Sequence, residues 1–252
     1  MNVFIQETKE IFRLRVPFEN LTTSVFLLET AKGPVLYDCA TTSKDVEQVI
    51  LPALAEIGVA PEELRALVLS HAHADHSGGM TALLQHAPNL PVIAQNAQKY
   101  DIAVQVPSDG EMLFGSLRAL HLPGHTADCL GLYDVMTGTL LTADALQLQG
   151  IDRFGCSLAA PDDYVKTIEK IRRLAPHRIL TAHAYVPYGE RAEGAAEITR
   201  YLDECLEVLA QIKAFVAAHR HMEAEAIALA FRAAHPKWPT LPKTTVKNLL
   251  KE

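Results

Sequence analysis

Four side chains of metal-binding type fall within six consecutive positions of this chain: His71, His73, Asp75 and His76. The apolar run at 64–70 predicts a buried strand, and residues two apart at its end point the same way. His71 and His73 can therefore converge on one ion. Asp75 and His76 are neighbours whose side chains diverge in any regular element, so they fit better as ligands of a second ion. The stretch predicts a site for two metal ions.

The pattern His-x-His-x-Asp-His at 71–76, followed by Ser-Gly-Gly at 77–79, resembles the signature of the metallo-β-lactamase superfamily of metallohydrolases. The resemblance spans roughly residues 20 to 190, because the family's later motifs follow in order. These motifs are a histidine in a Gly-His-Thr turn, an aspartate that ends a strand, a histidine at another strand end, and an aspartate that braces the metal loop. Their matches here are His125, Asp144, His183 and Asp38.

The resemblance implies a ligand set for each ion. Metal one takes His71, His73 and His125, metal two takes Asp75, His76 and His183, and Asp144 bridges the two. His121, four residues before His125, is expected to be structural or to lie behind the ligands. Nitrogen and oxygen donors without thiolate favour zinc, and manganese or iron would also fit.

The ligand set implies the chemistry. Two cations that share one water lower its pKa, so a metal-bridging hydroxide is available at neutral pH to attack a carbonyl carbon or a phosphorus. Asp75 and Asp144 are the expected catalytic carboxylates, and Asp75 can also orient the water. Substrate contacts are expected from Tyr185 and Tyr188, for which packing under the loop is an equal alternative, and from Phe154 in the expected pocket wall.

Strands and helices alternate around these motifs. Apolar runs and period-two patterns predict strands at 21–28, 34–38, 91–94, 130–133 and 139–142. Helical spacing predicts helices at 45–57, from Met80 and at 162–174. This is an α/β (α+β) pattern with ligands at strand ends, and the resemblance implies a four-layer αβ/βα sandwich, in which two sheets lie between outer helices.

The composition shifts near residue 189. Apolar residues at steps of three and four predict a long amphipathic helix over 198–216 and an alanine-rich helix over 223–234. We therefore expect a catalytic domain at 1–189 and a C-terminal helical extension at 190–252. The apolar stripe of the long helix is expected to pack on the body of the protein, and a homodimer is also allowed.

Composition narrows the setting. The 252 residues are 49% hydrophobic with a formal net charge of −7, so a large core is expected and broad attraction to nucleic acid is not. We find no membrane-spanning apolar run and no signal-peptide pattern, which makes the cytoplasm the expected location. The four cysteines form no Cys-x-x-Cys pair and are expected to be reduced and buried.

The sequence thus predicts a binuclear metal-dependent hydrolase of a small ester-type molecule: a thioester, a lactone or a phosphoester. The chain looks most like the glyoxalase II and lactonase branch of the superfamily, although a basic glutathione-binding arrangement and a tyrosine soon after Asp144 are both missing. One alternative is a persulfide dioxygenase with a single iron held by His71, His125 and Asp144. Another is a metal-binding sensor without catalysis.

Overall fold

The computed structural model describes residues 3–151 and 154–251. Two compact units can be distinguished. The first contains the chain up to His121 together with Leu130–Leu141, and the second contains Leu122–Cys129 and the chain from Thr142 onward. The boundary therefore falls inside a strand, and the predicted division at 189/190 stays a prediction.

A seven-stranded sheet belongs to the first unit, and its strands follow one another in chain order. They are β1 (Ile5–Gln6), β2 (Ile11–Phe18), β3 (Leu21–Leu28), β4 (Val35–Tyr37), β5 (Ala66–Val68), β6 (Val92–Ile93) and β7 (Val104–Gln105). Neighbours from β1 to β4 are antiparallel, whereas those from β4 to β7 are parallel. Parallel strands end at the same edge, so the chain after β5 leaves the sheet beside the end of β4.

The second sheet has six strands, in the order β13-β12-β11-β10-β9-β8. They are β8 (Met112–Leu113), β9 (Leu117–His121), β10 (Leu130–Asp134), β11 (Thr139–Ala143), β12 (Arg178–Tyr185) and β13 (Gly189–Glu193). Strands β8 to β11 form an antiparallel meander, and β12 and β13 form an antiparallel pair. The buried side chains of β11 account for the apolar run that predicts this strand, and β12 is the strand that carries His183.

Helices of the first unit connect its parallel strands. They are α1 (Ser43–Asp45), α2 (Leu51–Glu56), α3 (Ala74–Ser77) and α4 (Met80–His86), and a π-helical turn at Val46–Ile50 joins α1 to α2. Thr42 caps α1, since its hydroxyl accepts from the Asp45 N–H (3.2 Å) while the Asp45 carboxylate accepts from the Thr42 N–H (2.8 Å). The predicted helix at 45–57 is confirmed, with the π turn inside it.

The second unit contains the longer helices: α5 (Pro161–Leu174), α6 (Ala195–Ala218), α7 (Ala224–Ala234) and α8 (Lys243–Leu249). The predicted helices at 162–174, 198–216 and 223–234 are confirmed. The apolar stripe of α6 is buried. Among the residues that the structure describes, no helix combines the length and apolarity needed to cross a bilayer. The predicted α/β class with two sheets and helices is confirmed.

Candidate metal centre

The first unit brings together the four residues of the His-x-His-x-Asp-His motif. The loop after β5 carries His71 and His73, whose Nε2 and Nδ1 atoms lie 3.0 Å apart, and α3 carries Asp75 and His76. The His76 Nε2 lies 3.2 Å from the Asp75 Oδ2, and the rings of His71 and His76 are 4.2 Å apart. His71 and His76 are almost fully buried. The spacing therefore produces a compact group of imidazole and carboxylate ligands.

Asp38 fixes the orientation of the His76 ring through a hydrogen bond to Nδ1. It follows β4, is fully buried, and has a left-handed backbone conformation (φ 66°), which aspartate tolerates better than most residues. Its Oδ1 accepts from the Ser70 N–H (2.7 Å), and its Oδ2 accepts from the Ser70 hydroxyl (2.8 Å) and from Nδ1 of His76 (2.8 Å). A proton held on Nδ1 leaves the Nε2 lone pair for a metal. Asp38 thus occupies the bracing position that the resemblance implies.

Two residues that the sequence analysis missed complete this group. The Ser70 hydroxyl, which donates to Asp38, lies 3.0 Å from Nδ1 of His71. It can therefore accept a hydrogen bond from the Nδ1–H group, which leaves the His71 Nε2 lone pair for a metal. The Thr23 hydroxyl on β3 donates to the Asp75 Oδ2 (3.2 Å). Thr23 lies 52 residues from Asp75, and no motif connects the two positions.

The glycines of the Ser-Gly-Gly motif allow the metal loop to pack against the chain after β4. A Cβ atom on Gly78 would lie 2.0 Å from the Thr41 carbonyl oxygen, and one on Gly79 would lie 2.1 Å from the Cys39 carbonyl oxygen. Both contacts are shorter than any side chain allows. Both positions therefore require glycine, because the ligand loop packs closely against the segment that holds Asp38.

The second unit brings together the other three predicted ligands. Asp144 directly follows β11, His183 lies on β12, and His125 lies in the 122–129 loop. The Asp144 Oδ2 lies 3.6 Å from the His125 Nε2, and its Oδ1 lies 3.4 Å from the His183 Nε2. All three side chains are buried. The carboxylate therefore presents a different oxygen to each histidine.

Backbone contacts orient His125. Its Nδ1 donates to the Ser157 carbonyl oxygen (2.8 Å), so Nε2 is the atom that faces Asp144. The preceding Gly124 has a φ of 146°, and a Cβ atom there would lie 2.6 Å from the Cα of Tyr164 on α5. Only glycine fits so close to the helix, which explains the glycine of the Gly-His-Thr turn.

The three aromatic residues predicted to contact substrate occupy different surroundings. Tyr185 is buried, and its hydroxyl accepts from Nε2 of Gln147 (3.2 Å). Tyr188 is partly buried, and its hydroxyl donates to Glu204 (2.9 Å); burial, reinforced by this carboxylate, raises the Tyr188 pKa to about 12. Phe154 is partly buried in the loop after β11. Their contact with substrate stays a prediction.

The donor set fits a divalent ion of the zinc type. Zinc binds nitrogen and oxygen ligands at about 2.0–2.1 Å in a tetrahedral arrangement, which separates two ligands of one ion by about 3.4 Å. The two Asp144–histidine distances, 3.6 and 3.4 Å, match that separation. Among the described residues, no cysteine belongs to a group of side chains arranged to hold an ion. Burial raises the pKa of Cys39 well above its usual value and that of Cys129 to about 12, so both thiols are protonated in the metal-free protein. All four cysteines are free and buried, as predicted.

Comparison with known proteins finds a family model that matches part of the chain. Residues 19–103 match the family model for the metallo-beta-lactamase superfamily. The hydroxyacylglutathione hydrolase of Pectobacterium carotovorum is 28% identical over 179 residues, which cover 68% of this chain and 68% of that protein. This stretch is long enough to include several of the ligand motifs.

Solved structures share the fold. A metallo-beta-lactamase family protein from Thermus thermophilus superposes with a TM-score of 0.71 at 17% identity, covering 97% of this chain and 92% of that one. A flavo di-iron protein from Thermotoga maritima superposes with a TM-score of 0.66 at 20% identity, covering 83% of this chain. The match spans only 62% of the Thermotoga protein's length. At these identities the likeness shows the fold alone.

Proposed function

From the match of residues 19–103 to the metallo-beta-lactamase superfamily model, we propose that this chain is a hydrolase of that superfamily that holds two divalent metal ions and cleaves a small thioester. The thioester is chosen over a lactone or a phosphoester because of the similarity to hydroxyacylglutathione hydrolase, whose name denotes a thioester substrate. The proposal places the enzyme in the cytoplasm, as the sequence predicts, and names zinc as the metal.

One observation carries the proposal: Asp144 faces two histidines with two different oxygens, Oδ2 toward His125 and Oδ1 toward His183. A carboxylate placed in this way could take part in holding two ions, one on the side of His125 and one on the side of His183. A carboxylate that only accepted hydrogen bonds from these rings would be expected near 2.8 Å rather than at 3.4–3.6 Å. The longer distances support ligands arranged around metal ions.

The ligand assignment follows the sequence motifs. We propose that one ion is held by His71, His73 and His125, that the other is held by Asp75, His76 and His183, and that Asp144 bridges them. Two divalent ions, when bound, lower the pKa of a shared water and polarise the substrate carbonyl.

The protein's own contribution is to fix each ligand in one orientation. Asp38 accepts a hydrogen bond from the Nδ1–H group of His76, and the Ser157 carbonyl accepts one from the Nδ1–H group of His125. Both Nε2 atoms are then available as neutral ligands. The Thr23 hydroxyl holds the Asp75 carboxylate beside His76. Such hydrogen bonds preorganise the side chains, and preorganised groups favour the transition state.

The test is hydrolysis of a hydroxyacyl thioester of glutathione by the zinc-loaded protein, beside a lactone and a phosphodiester. We expect turnover of the thioester and a loss of about a hundredfold or more in kcat/KM for His183→Ala. His221→Ala is the matched control, because His221 is exposed in the turn after α6 and should leave kcat/KM unchanged.

Two results would contradict the proposal. Equal activity of wild type and His183→Ala would show that the reaction does not use this site. Turnover of the lactone or the phosphodiester alone would leave a hydrolase but refute the thioester. Oxygen consumption with a persulfide, supported by one iron per chain, would instead identify the dioxygenase alternative.

A further inference from the structure

The C-terminal helix α8 forms hydrogen bonds with the loop that orients His125. Thr245 on this helix is completely buried, and its hydroxyl accepts from the Leu158 N–H (2.9 Å) and donates to the Cys156 carbonyl oxygen (2.9 Å). Asn248, one turn later, donates from Nδ2 to the Leu158 carbonyl oxygen (3.1 Å). Three hydrogen bonds therefore connect one short helix to the two residues that flank Ser157.

A single peptide group connects the hydrogen bonds of α8 to His125. The Ser157 carbonyl, which accepts from Nδ1 of His125 (2.8 Å), and the Leu158 N–H, which donates to Thr245, belong to the same peptide unit. A peptide unit is planar and trans, so its C=O and N–H point in opposite directions. When Thr245 fixes the N–H, it also fixes the direction in which the carbonyl meets the imidazole.

The same loop is held from its other side by Gln147. This buried amide accepts from the Ser157 N–H through Oε1 (3.2 Å) and donates from Nε2 to the Asp144 carbonyl oxygen (2.9 Å). The Ser157 backbone is thus fixed between the segment that carries Asp144 and the helix that carries Thr245. Gln147 therefore holds the Cys156–Ser157 peptide, and rotation of the next peptide, Ser157–Leu158, would break the bonds to His125 and Thr245.

The chain before α8 also leaves the loop no room to move. Gly155 has a left-handed conformation (φ 60°), and a Cβ atom there would lie 1.7 Å from the Thr240 carbonyl oxygen. Cys156 and Leu158 are buried beside it. The C-terminal segment therefore packs directly against residues 155–158.

We propose that Thr245 is a positioning residue for His125, acting through the Ser157–Leu158 peptide, so that the C-terminal helix is part of the outer sphere of the metal site. The hydrogen bonds run in one direction, from the His125 ring to the Ser157 carbonyl, from the Leu158 N–H to the Thr245 hydroxyl, and from that hydroxyl to the Cys156 carbonyl. Bonds in such a chain polarise one another, which strengthens the bond to the imidazole. The metal part of the proposal rests on the proposed function, since only there is His125 a ligand.

The test compares Thr245→Val, which keeps the shape and removes the hydroxyl, with Thr245→Ser, which restores the hydroxyl. The first measurement is the ring ¹⁵N spectrum of His125 in metal-free protein. We expect a single tautomer with the proton on Nδ1 in wild type and Thr245→Ser, and a mixture of the two tautomers in Thr245→Val. The second measurement is zinc affinity by competition with a chromophoric chelator. Removal of an outer contact to a ligand typically weakens metal binding 10–100-fold, so we expect about tenfold for one zinc equivalent in Thr245→Val.

Two controls separate positioning from general destabilisation. Thr244→Val makes the same change at an exposed position on the same helix, and Thr139→Val makes it at a buried position on β11, where the hydroxyl lies 2.9 Å from the Thr137 hydroxyl. Neither should change the His125 tautomer or zinc affinity. If Thr245→Val does not fold, Asn248→Ala removes another of the three hydrogen bonds between α8 and the loop. It should shift the tautomer in the same direction by a smaller amount.

The outcomes are distinct. An unchanged Nδ1 tautomer in Thr245→Val, or a Thr245→Ser variant as altered as Thr245→Val, would overturn the positioning role. A weakening of zinc binding by Thr139→Val equal to that by Thr245→Val would overturn it as well. If added zinc leaves the His125 ring signals of the wild type unchanged, the proposed function fails, while the tautomer comparison still decides whether Thr245 positions the ring.

Discussion

Replacement of Asp38 by asparagine should weaken the metal site without changing the shape of the loop. Asparagine tolerates the left-handed conformation at this position, and its amide oxygen can still accept from the Ser70 N–H. The amide NH₂ then takes the place of Oδ2, which accepts from the Ser70 hydroxyl and from Nδ1 of His76. The Ser70 hydroxyl can rotate to accept a hydrogen bond from this amide, but a protonated Nδ1 of His76 cannot accept one. His76 must therefore move its proton to Nε2, the atom that the proposal assigns to a metal.

The size of the effect follows from the bonds that are lost. A hydrogen bond to a charged group contributes about 1.5–3 kcal/mol, and two such bonds at 2.8 Å are weakened or lost. We expect the free energy of unfolding of metal-free Asp38→Asn to fall by about 2–4 kcal/mol, because a neutral amide recovers part of the loss. Zinc affinity at the subsite of His76 should fall 10–100-fold, or about 1.4–2.7 kcal/mol.

Urea unfolding, chelator competition and the ring ¹⁵N spectrum of His76 measure these three effects. Asp134→Asn is the matched control, because Asp134 is also buried and accepts from two backbone N–H groups and the Thr137 hydroxyl in the turn between β10 and β11. It should lose stability and keep its zinc affinity. Unchanged zinc affinity in Asp38→Asn, with His76 still protonated on Nδ1, would refute the reasoning.

Two further predictions concern packing and thiol chemistry. Gly78→Ala should cost about 3 kcal/mol or more in urea unfolding, because its Cβ would meet the Thr41 backbone, whereas Gly58→Ala, strained (φ 75°) but in open space, should cost only about 1–2 kcal/mol; equal costs would contradict the packing account. In the folded protein at pH 8 we expect no thiol to react with a disulfide reagent, because burial raises the thiol pKa values, that of Cys129 to about 12, and keeps the thiols protonated. Four thiols should react after unfolding, and rapid reaction of any of them in the native state would show that its burial is wrong.

The sequence predicted the elements whose residues follow a simple pattern. Strand β3 and helices α5, α6 and α7 match their predicted positions closely, because the apolar residues that predict each element are buried. Strand β2 lies outside the predicted elements, because its alternation is interrupted by a buried Arg13. The Arg13 Nε pairs with Glu7 (2.8 Å), and its guanidinium lies 5.2 Å from the centre of the Phe26 ring. Neither partner can be deduced from spacing.

The candidate site divides in the same way. The ligand-type residues could be found because their spacing is a local property of the chain, and the structure groups His71 with His76 and Asp144 with His125 and His183. The partners that orient them could not be found. Thr23, Ser157 and Thr245 act through bonds across 32 to 87 residues, and two of those bonds end on backbone atoms, which have no sequence signature.

Metal content per chain tests the central claim most directly. Elemental analysis of protein purified without added metal should find close to two equivalents of zinc in the wild type and in His221→Ala. The value should fall toward one in His183→Ala, since that variant loses a proposed ligand of one ion only. One equivalent of iron in all three proteins would contradict the two-ion account.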